Sequence, residues 1–196
     1  MRSRITTGLA VLGIAGTSVL VTGGPAQAHG YSTTPPSRQM YCANGTVTGC
    51  GQIQWEPQSV EGPKGFPASG PRDGTICAGG NARFAELDDP RGGQWPTTKL
   101  TAGQSYTFTW RNTAPHATTD FRYYITKDGW DGSRKLTRAD LETAPFLTVP
   151  MNGRRPGYTE SHSGTLPNKS GRHLILAVWT IADTGNAFYA CSDVRF

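Results

Sequence analysis

The chain has 196 residues and a net charge of +5, with 25 glycines, 14 prolines and four cysteines. The basic residues are scattered rather than clustered on one stretch, which argues against nucleic acid as a partner. Long periodic helices are absent, and so is any second domain, repeat or low-complexity tail.

At the N-terminus, Arg2 and Arg4 precede the apolar run LAVLGIAGTSVLV, which ends in Ala26-Gln27-Ala28. This order is that of a secretory signal peptide, and the run falls short of the ~20 apolar residues a membrane helix needs. The expectation is export, cleavage after Ala28, and a secreted, extracellular domain over 29–196 with no membrane partner. Cleavage would leave His29 first, with a free α-amine and an imidazole on the same residue.

Cys42, Cys50, Cys77 and Cys191 all follow the cleavage point, and an even count in an exported chain predicts two disulfides. Three pairings are open. The turn-rich loop ANGTVTG between Cys42 and Cys50 favours that short bridge, with Cys77 joined to Cys191. No C-x-x-C spacing supports the rival, a zinc site.

From about Pro35 to Thr98 the chain is rich in Gly and Pro, as in PQSVEGPKGFPASGPRDG, with little apolar periodicity. It is read as an ordered insertion of loops and short helical turns, pinned by the disulfides. Strands are predicted at Ser105–Arg111, Phe121–Thr126, Leu174–Ile181 and Ala187–Val194, with shorter ones before Thr101 and near Ser161–Thr165. The turn ADTGN makes the last two long strands antiparallel neighbours. Leu136–Glu142 is the best helix signal, with Thr137 as N-cap. The fold class is all-β: an immunoglobulin/fibronectin-III-like antiparallel sandwich with a long loop and short-helix insertion after the first strand.

A residue chelating through its own amine and ring needs that amine neutral. An α-amine titrates near ~7.7–8.0, so a cation displaces its proton at modest cost. A third nitrogen would come from His116, in a loop just after a strand, or from His162 or His173. Three nitrogens in a planar T suit copper, by tetragonal preference and by the Irving–Williams order.

H-G-Y at the processed start, then PPSRQ, QWEPQSVEGPKGFP, DGTICAGG, TAPHATTDFRYYITK and ILAVWTIADTGNAFY, together resemble the bacterial lytic polysaccharide monooxygenases of auxiliary activity family ten. The likeness is greatest to the chitin-active, single-domain members once described as chitin-binding proteins, and it runs over the whole processed chain. It implies one copper ion, cycling between +1 and +2, held by the His29 amine and Nδ1 and by His116 Nε2. It implies Phe188 near the axial position, Ala114 crowding the opposite side, and Glu61 beside the metal for hydrogen bonding and proton delivery. Trp55 and Glu56 match the positions that meet crystalline substrate, and Asp183 and Asn186 match positions on the same face. The family aromatic is commonly Tyr where this chain has Trp55; a flat apolar face is kept. Tyr31, Arg38 and Thr113 are weaker candidates for roles near the brace. Trp95, Trp110, Trp130 and Trp179 are read as core.

The resemblance implies a monomeric oxidase that cleaves crystalline chitin at the anomeric carbon to give aldonic acid ends. It would use hydrogen peroxide, or dioxygen with an external small-molecule or protein reductant. A non-catalytic chitin-binding module is the alternative, but adhesion has no need of His29 at a processed terminus. A copper carrier is a third, but it leaves the binding face unexplained.

Overall fold

The computed structural model describes residues 28–196, so the predicted signal peptide, apart from its last residue Ala28, lies outside the described residues. Nine strands are present among them: β1 (His29–Thr34), β2 (Glu61–Pro63), β3 (Thr98–Lys99), β4 (Ser105–Ala114), β5 (Thr118–Ile125), β6 (Leu147–Pro150), β7 (Thr159–Thr165), β8 (Arg172–Ile181) and β9 (Asn186–Arg195). One sheet has the order β1-β4-β7; the other runs β2-β9-β8-β5-β6, with β3 pairing in parallel to β9. This is the expected all-β sandwich, with the insertion following its first strand.

The predicted strands are each present and extend by one to three residues at one or both ends, apart from Phe121–Thr126, whose strand starts earlier and stops at Ile125. The run Leu174–Ile181 shows no polar alternation because β8 is buried on both faces. Leu174, Leu176 and Val178 pack into the cluster under the insertion, whereas Ile175, Ala177, Trp179 and Ile181 pack between the sheets. The same period of two divides β9: Ala187, Tyr189 and Cys191 face the insertion, and Phe188, Ala190 and Val194 face the sandwich. All four tryptophans read as core are buried.

The helix expected over Leu136–Glu142 is only a 3-10 turn at Arg138–Asp140. Asp140 accepts hydrogen bonds from the Thr137 amide and hydroxyl and from Arg134, which completes a capping box but spends the segment's polar groups within one turn. The insertion carries one α-helix, α1 (Arg38–Ala43), and several 3-10 turns. Cys42–Cys50 closes its first loop, and Cys77–Cys191 fastens it to β9 across 114 residues. A loop of that length corresponds to about 4–5 kcal/mol in the chain-entropy account.

His162 and His173 are buried structural groups. His162 Nδ1 lies 2.7 Å from the Tyr123 hydroxyl, and its Nε2 is 3.6 Å from Glu160 Oε1. Burial holds the His162 imidazole below its ordinary range, with Glu160 partly opposing the effect. The unfolded chain therefore takes up a proton near its ordinary value of 6.5 that the native state refuses, so stability is lost as pH falls through that region. Asp88, which burial raises to about 6, works in the opposite direction over lower pH. Thermal unfolding of wild type and His162→Gln between pH 7.5 and 6 separates the two: the variant is expected to lose less stability over that interval. Parallel curves would show that His162 is not the group responsible.

Candidate metal centre

His29 and His116 approach each other because β1 and β4 are hydrogen-bonded neighbours. His29 pairs with Ala114, and His116 follows two residues later in the loop to β5. The pairing shifts register between His29 and Gly30, which frees the first residue from the regular ladder. Only glycine fits at position 30. A Cβ there would stand 2.6 Å from Asn112 Oδ1 and 3.0 Å from the Trp179 ring.

The loop carrying His116 is held at both ends. The His116 carbonyl accepts a hydrogen bond from Thr118 Oγ1 at 2.9 Å, and that hydroxyl accepts another from Trp179 Nε1 at 2.7 Å. The Ala182 amide donates to the Ala117 carbonyl at 2.8 Å, which brings the ADTGN turn beside the histidine. Asp183 Oδ1 then lies 2.9 Å from His116 Nδ1, although off the line of a well-formed hydrogen bond. A carboxylate on that side favours a proton on Nδ1 and leaves Nε2 as the free donor atom. Lys64 braces the turn from below: its amide donates to Gly185 O at 2.9 Å and its ammonium to the Thr184 and Ile181 carbonyls.

Phe188 is fully buried, its ring centroid 6.3 Å from that of His29 and 5.0 Å from Trp179. Glu61 pairs across the strands with Phe188, and Pro63 pairs with Asn186. Asn186 Nδ2 donates to Glu61 Oε1 at 2.7 Å, so one carboxylate oxygen is fixed and the second remains for other work. His29, His116, Glu61, Phe188, Asp183 and Asn186 thus gather at one end of the sandwich. Asn186 orients the Glu61 carboxylate, and Asp183, itself exposed, faces a ring nitrogen of His116.

Trp55 is 77 % exposed, an unusual state for so large an apolar group. Its neighbour Glu56 is ion-paired to Arg83 at 2.5 Å and is not a free surface carboxylate. Arg38 proves to have no free guanidinium to offer a brace. It is buried and donates to Asp193 Oδ2 at 2.7 Å and to the Leu87 carbonyl at 2.7 Å. Tyr158, 72 % exposed, was not singled out in the sequence; an aromatic after Pro156-Gly157 carries no distinguishing signal.

Among the described residues no three His, Cys, Asp or Glu side chains cluster as a metal site. Side chains alone would supply two imidazoles, and the donor set is complete only with a backbone nitrogen. The pairing of β1 with β4 brings the two imidazoles to the same end of the β-sandwich.

Residues 29–194 match the family model described as "Lytic polysaccharide mono-oxygenase, cellulose-degrading", and the chain belongs to this family. It is 65% identical to an AA10 lytic polysaccharide monooxygenase from Streptomyces lividans, with a TM-score of 0.84, covering 86% of this chain and 100% of that one. A Bacillus amyloliquefaciens CBM33 in complex with Cu(I) is 39% identical, with a TM-score of 0.77, covering 85% of this chain and 99% of the other. The AA10 family lytic polysaccharide monooxygenase C of Mycosarcoma maydis is 50% identical over 86% of this chain, and GlcNAc-binding protein A of Shewanella oneidensis is 42% identical over 87%. The chain spans 52% and 36% of those two proteins' lengths, about half or less. Copper is the cofactor of this family's enzymes.

Proposed function

We propose that the chain is exported, cleaved after Ala28, and acts as a copper-dependent monooxygenase that breaks glycosidic bonds in crystalline chitin by oxidising the anomeric carbon. The observation that carries this reading is the pairing of His29 with the strand leading to His116, with no cluster of three His, Cys, Asp or Glu side chains among the described residues. The donor set fits copper: the His29 amine and Nδ1 with His116 Nε2 give three nitrogens, and Phe188 stands close to the His29 ring.

Bound copper supplies one-electron chemistry between its +1 and +2 states, using hydrogen peroxide, or dioxygen with an external reductant. The protein's own residues do the rest. Asp183 places a carboxylate beside His116 Nδ1, Phe188 excludes water from one side of the site, and Asn186 fixes Glu61 so that its second oxygen can hold or pass a proton. Trp55 offers a ring face to a sugar ring, with Glu56 beside it.

Chitin is preferred because the motif QWEPQSVEGPKGFP resembles that of chitin-active members and because several similar proteins are named as GlcNAc-binding. A non-catalytic chitin-binding module is the second reading, favoured by the exposure of Trp55. Mass spectrometry of soluble products from chitin and from cellulose, with copper and ascorbate, decides between them. Aldonic acid-ended N-acetylglucosamine oligomers are expected; binding to chitin with no oxidised product supports adhesion, and products from cellulose alone correct the substrate.

A further inference from the structure

Two large apolar side chains stand exposed among the described residues, Trp55 and Tyr158, and only Trp55 is used by the function proposed above. Tyr158 lies just ahead of β7, whose Thr159 pairs with Arg111 of β4. On the other side of β4, Ala114 pairs with His29. With strands ~4.8 Å apart, Tyr158 sits about 10 Å from the His29 backbone, at the same end of the sheet.

The ring is presented by a rigid backbone. Asn112 donates from its amide to the Tyr158 carbonyl at 2.8 Å and from Nδ2 to the Gly157 carbonyl at 2.8 Å. The Gly157 amide donates to Glu160 Oε2 at 2.9 Å, and the Arg154 carbonyl accepts from the Thr118 amide at 3.1 Å, close to the His116 loop. Tyr158 flanks two open grooves. One, about 440 Å³, runs between it and Ala114 with Thr113 and Arg155 in its walls; the other, about 560 Å³, adds Arg111. A ring face flanked by guanidinium donors and a hydroxyl is the chemistry that meets a neutral pyranose: stacking on its C–H face, with donors to hydroxyl or acetamide oxygens.

We infer that Tyr158, with Thr113 and Arg155, forms a second sugar-binding subsite on the Ala114 side of the metal centre, in addition to the Trp55 contact, so that a β-linked N-acetylglucosamine chain is held at more than one point. The inference rests on the polysaccharide-oxidising function proposed above. A preorganised aromatic contact of this kind adds affinity without an ordering cost, and its removal weakens binding about tenfold.

The test uses processed, copper-loaded protein and compares wild type, Tyr158→Ala, Tyr158→Phe and Trp55→Ala for binding to chitin and for product lengths. Tyr158→Ala is expected to bind chitin about tenfold more weakly and to shift the length distribution of oxidised products. Tyr158→Phe should behave as wild type, and copper affinity by calorimetry should be the same in all four. If Trp55→Ala weakens binding while Tyr158→Ala changes neither affinity nor product lengths, the subsite is overturned and the function stands. If wild type releases no oxidised product from any polysaccharide, the function falls instead. A Tyr158 effect that vanishes in 1 M salt, ~3 Å screening length, would indicate an anionic partner and also overturn the subsite.

Discussion

Protein that retains one residue ahead of His29 is expected to lose tight copper binding and all oxidative product formation, while its melting temperature without copper stays within a degree or so of the processed form. The reason is the chemistry of a single nitrogen. As a terminal amine it titrates near ~7.7–8.0 and gives up its proton to a metal readily; as a peptide amide it has no lone pair to offer near neutral pH. The described residues hold no third His, Cys, Asp or Glu that could take its place. On the proposed reading, retaining Ala28 would leave only the two imidazoles as donors. The expected loss in copper affinity exceeds about 100-fold, beyond the 10–100-fold typical of losing a supporting partner around an intact ligand set. Calorimetric copper titration of the two forms, with product analysis on the same samples, measures it. Equal affinity would remove the amine from the site, and with it the reason for cleavage after Ala28 to matter.

How much of this was legible in the sequence depends on the range over which each feature is encoded. The strands were, because β-branched and aromatic runs bounded by Gly, Asn and Asp are local signals. Burial of both faces of β8 was not, because a run such as LILAVWTI has the same appearance in any two-sided strand. The helix over Leu136–Glu142 failed because Asp140, apparently mid-helix, turns back on Thr137 and on Arg134 from outside the segment. At the site, the gathering of His29 with His116 follows from a strand pairing that no periodicity reveals. The sequence points to it only through the A-x-A motif ahead of His29 and the family resemblance. Trp55 by composition alone belonged in the core, and only the resemblance put it on the surface. The partner of Glu56 was not legible either: Arg83, 27 residues away, donates to one of its oxygens.

The least legible feature is also the one with the largest expected effect on stability. Asp193 on β9 is 1 % exposed and accepts hydrogen bonds from Arg38 Nε at 2.7 Å, Arg38 Nη2 at 3.3 Å and Arg172 Nη2 at 2.8 Å. Arg38 opens α1, 155 residues away, and its guanidinium also lies over the Trp95 ring at 4.9 Å. One carboxylate therefore ties the insertion, the tryptophan beneath it and two strands of the larger sheet. Removing it leaves two guanidinium groups in a site with little water, and breaking a buried pair in this way costs about 3–5 kcal/mol. For a domain of this size Asp193→Ala should lower the melting temperature by about 10 °C or more. Asp193→Asn, which keeps an acceptor but not the charge, should fall between it and wild type. Urea denaturation of the three proteins at pH 7 with both disulfides intact checks the order. The Cys77–Cys191 bridge, two residues before Asp193, keeps the insertion tethered in every variant, so the difference reports the ion network rather than detachment of the loop. An Asp193→Ala protein as stable as wild type would mean that water reaches both guanidinium groups, and that the insertion is held by its apolar cluster and disulfide alone.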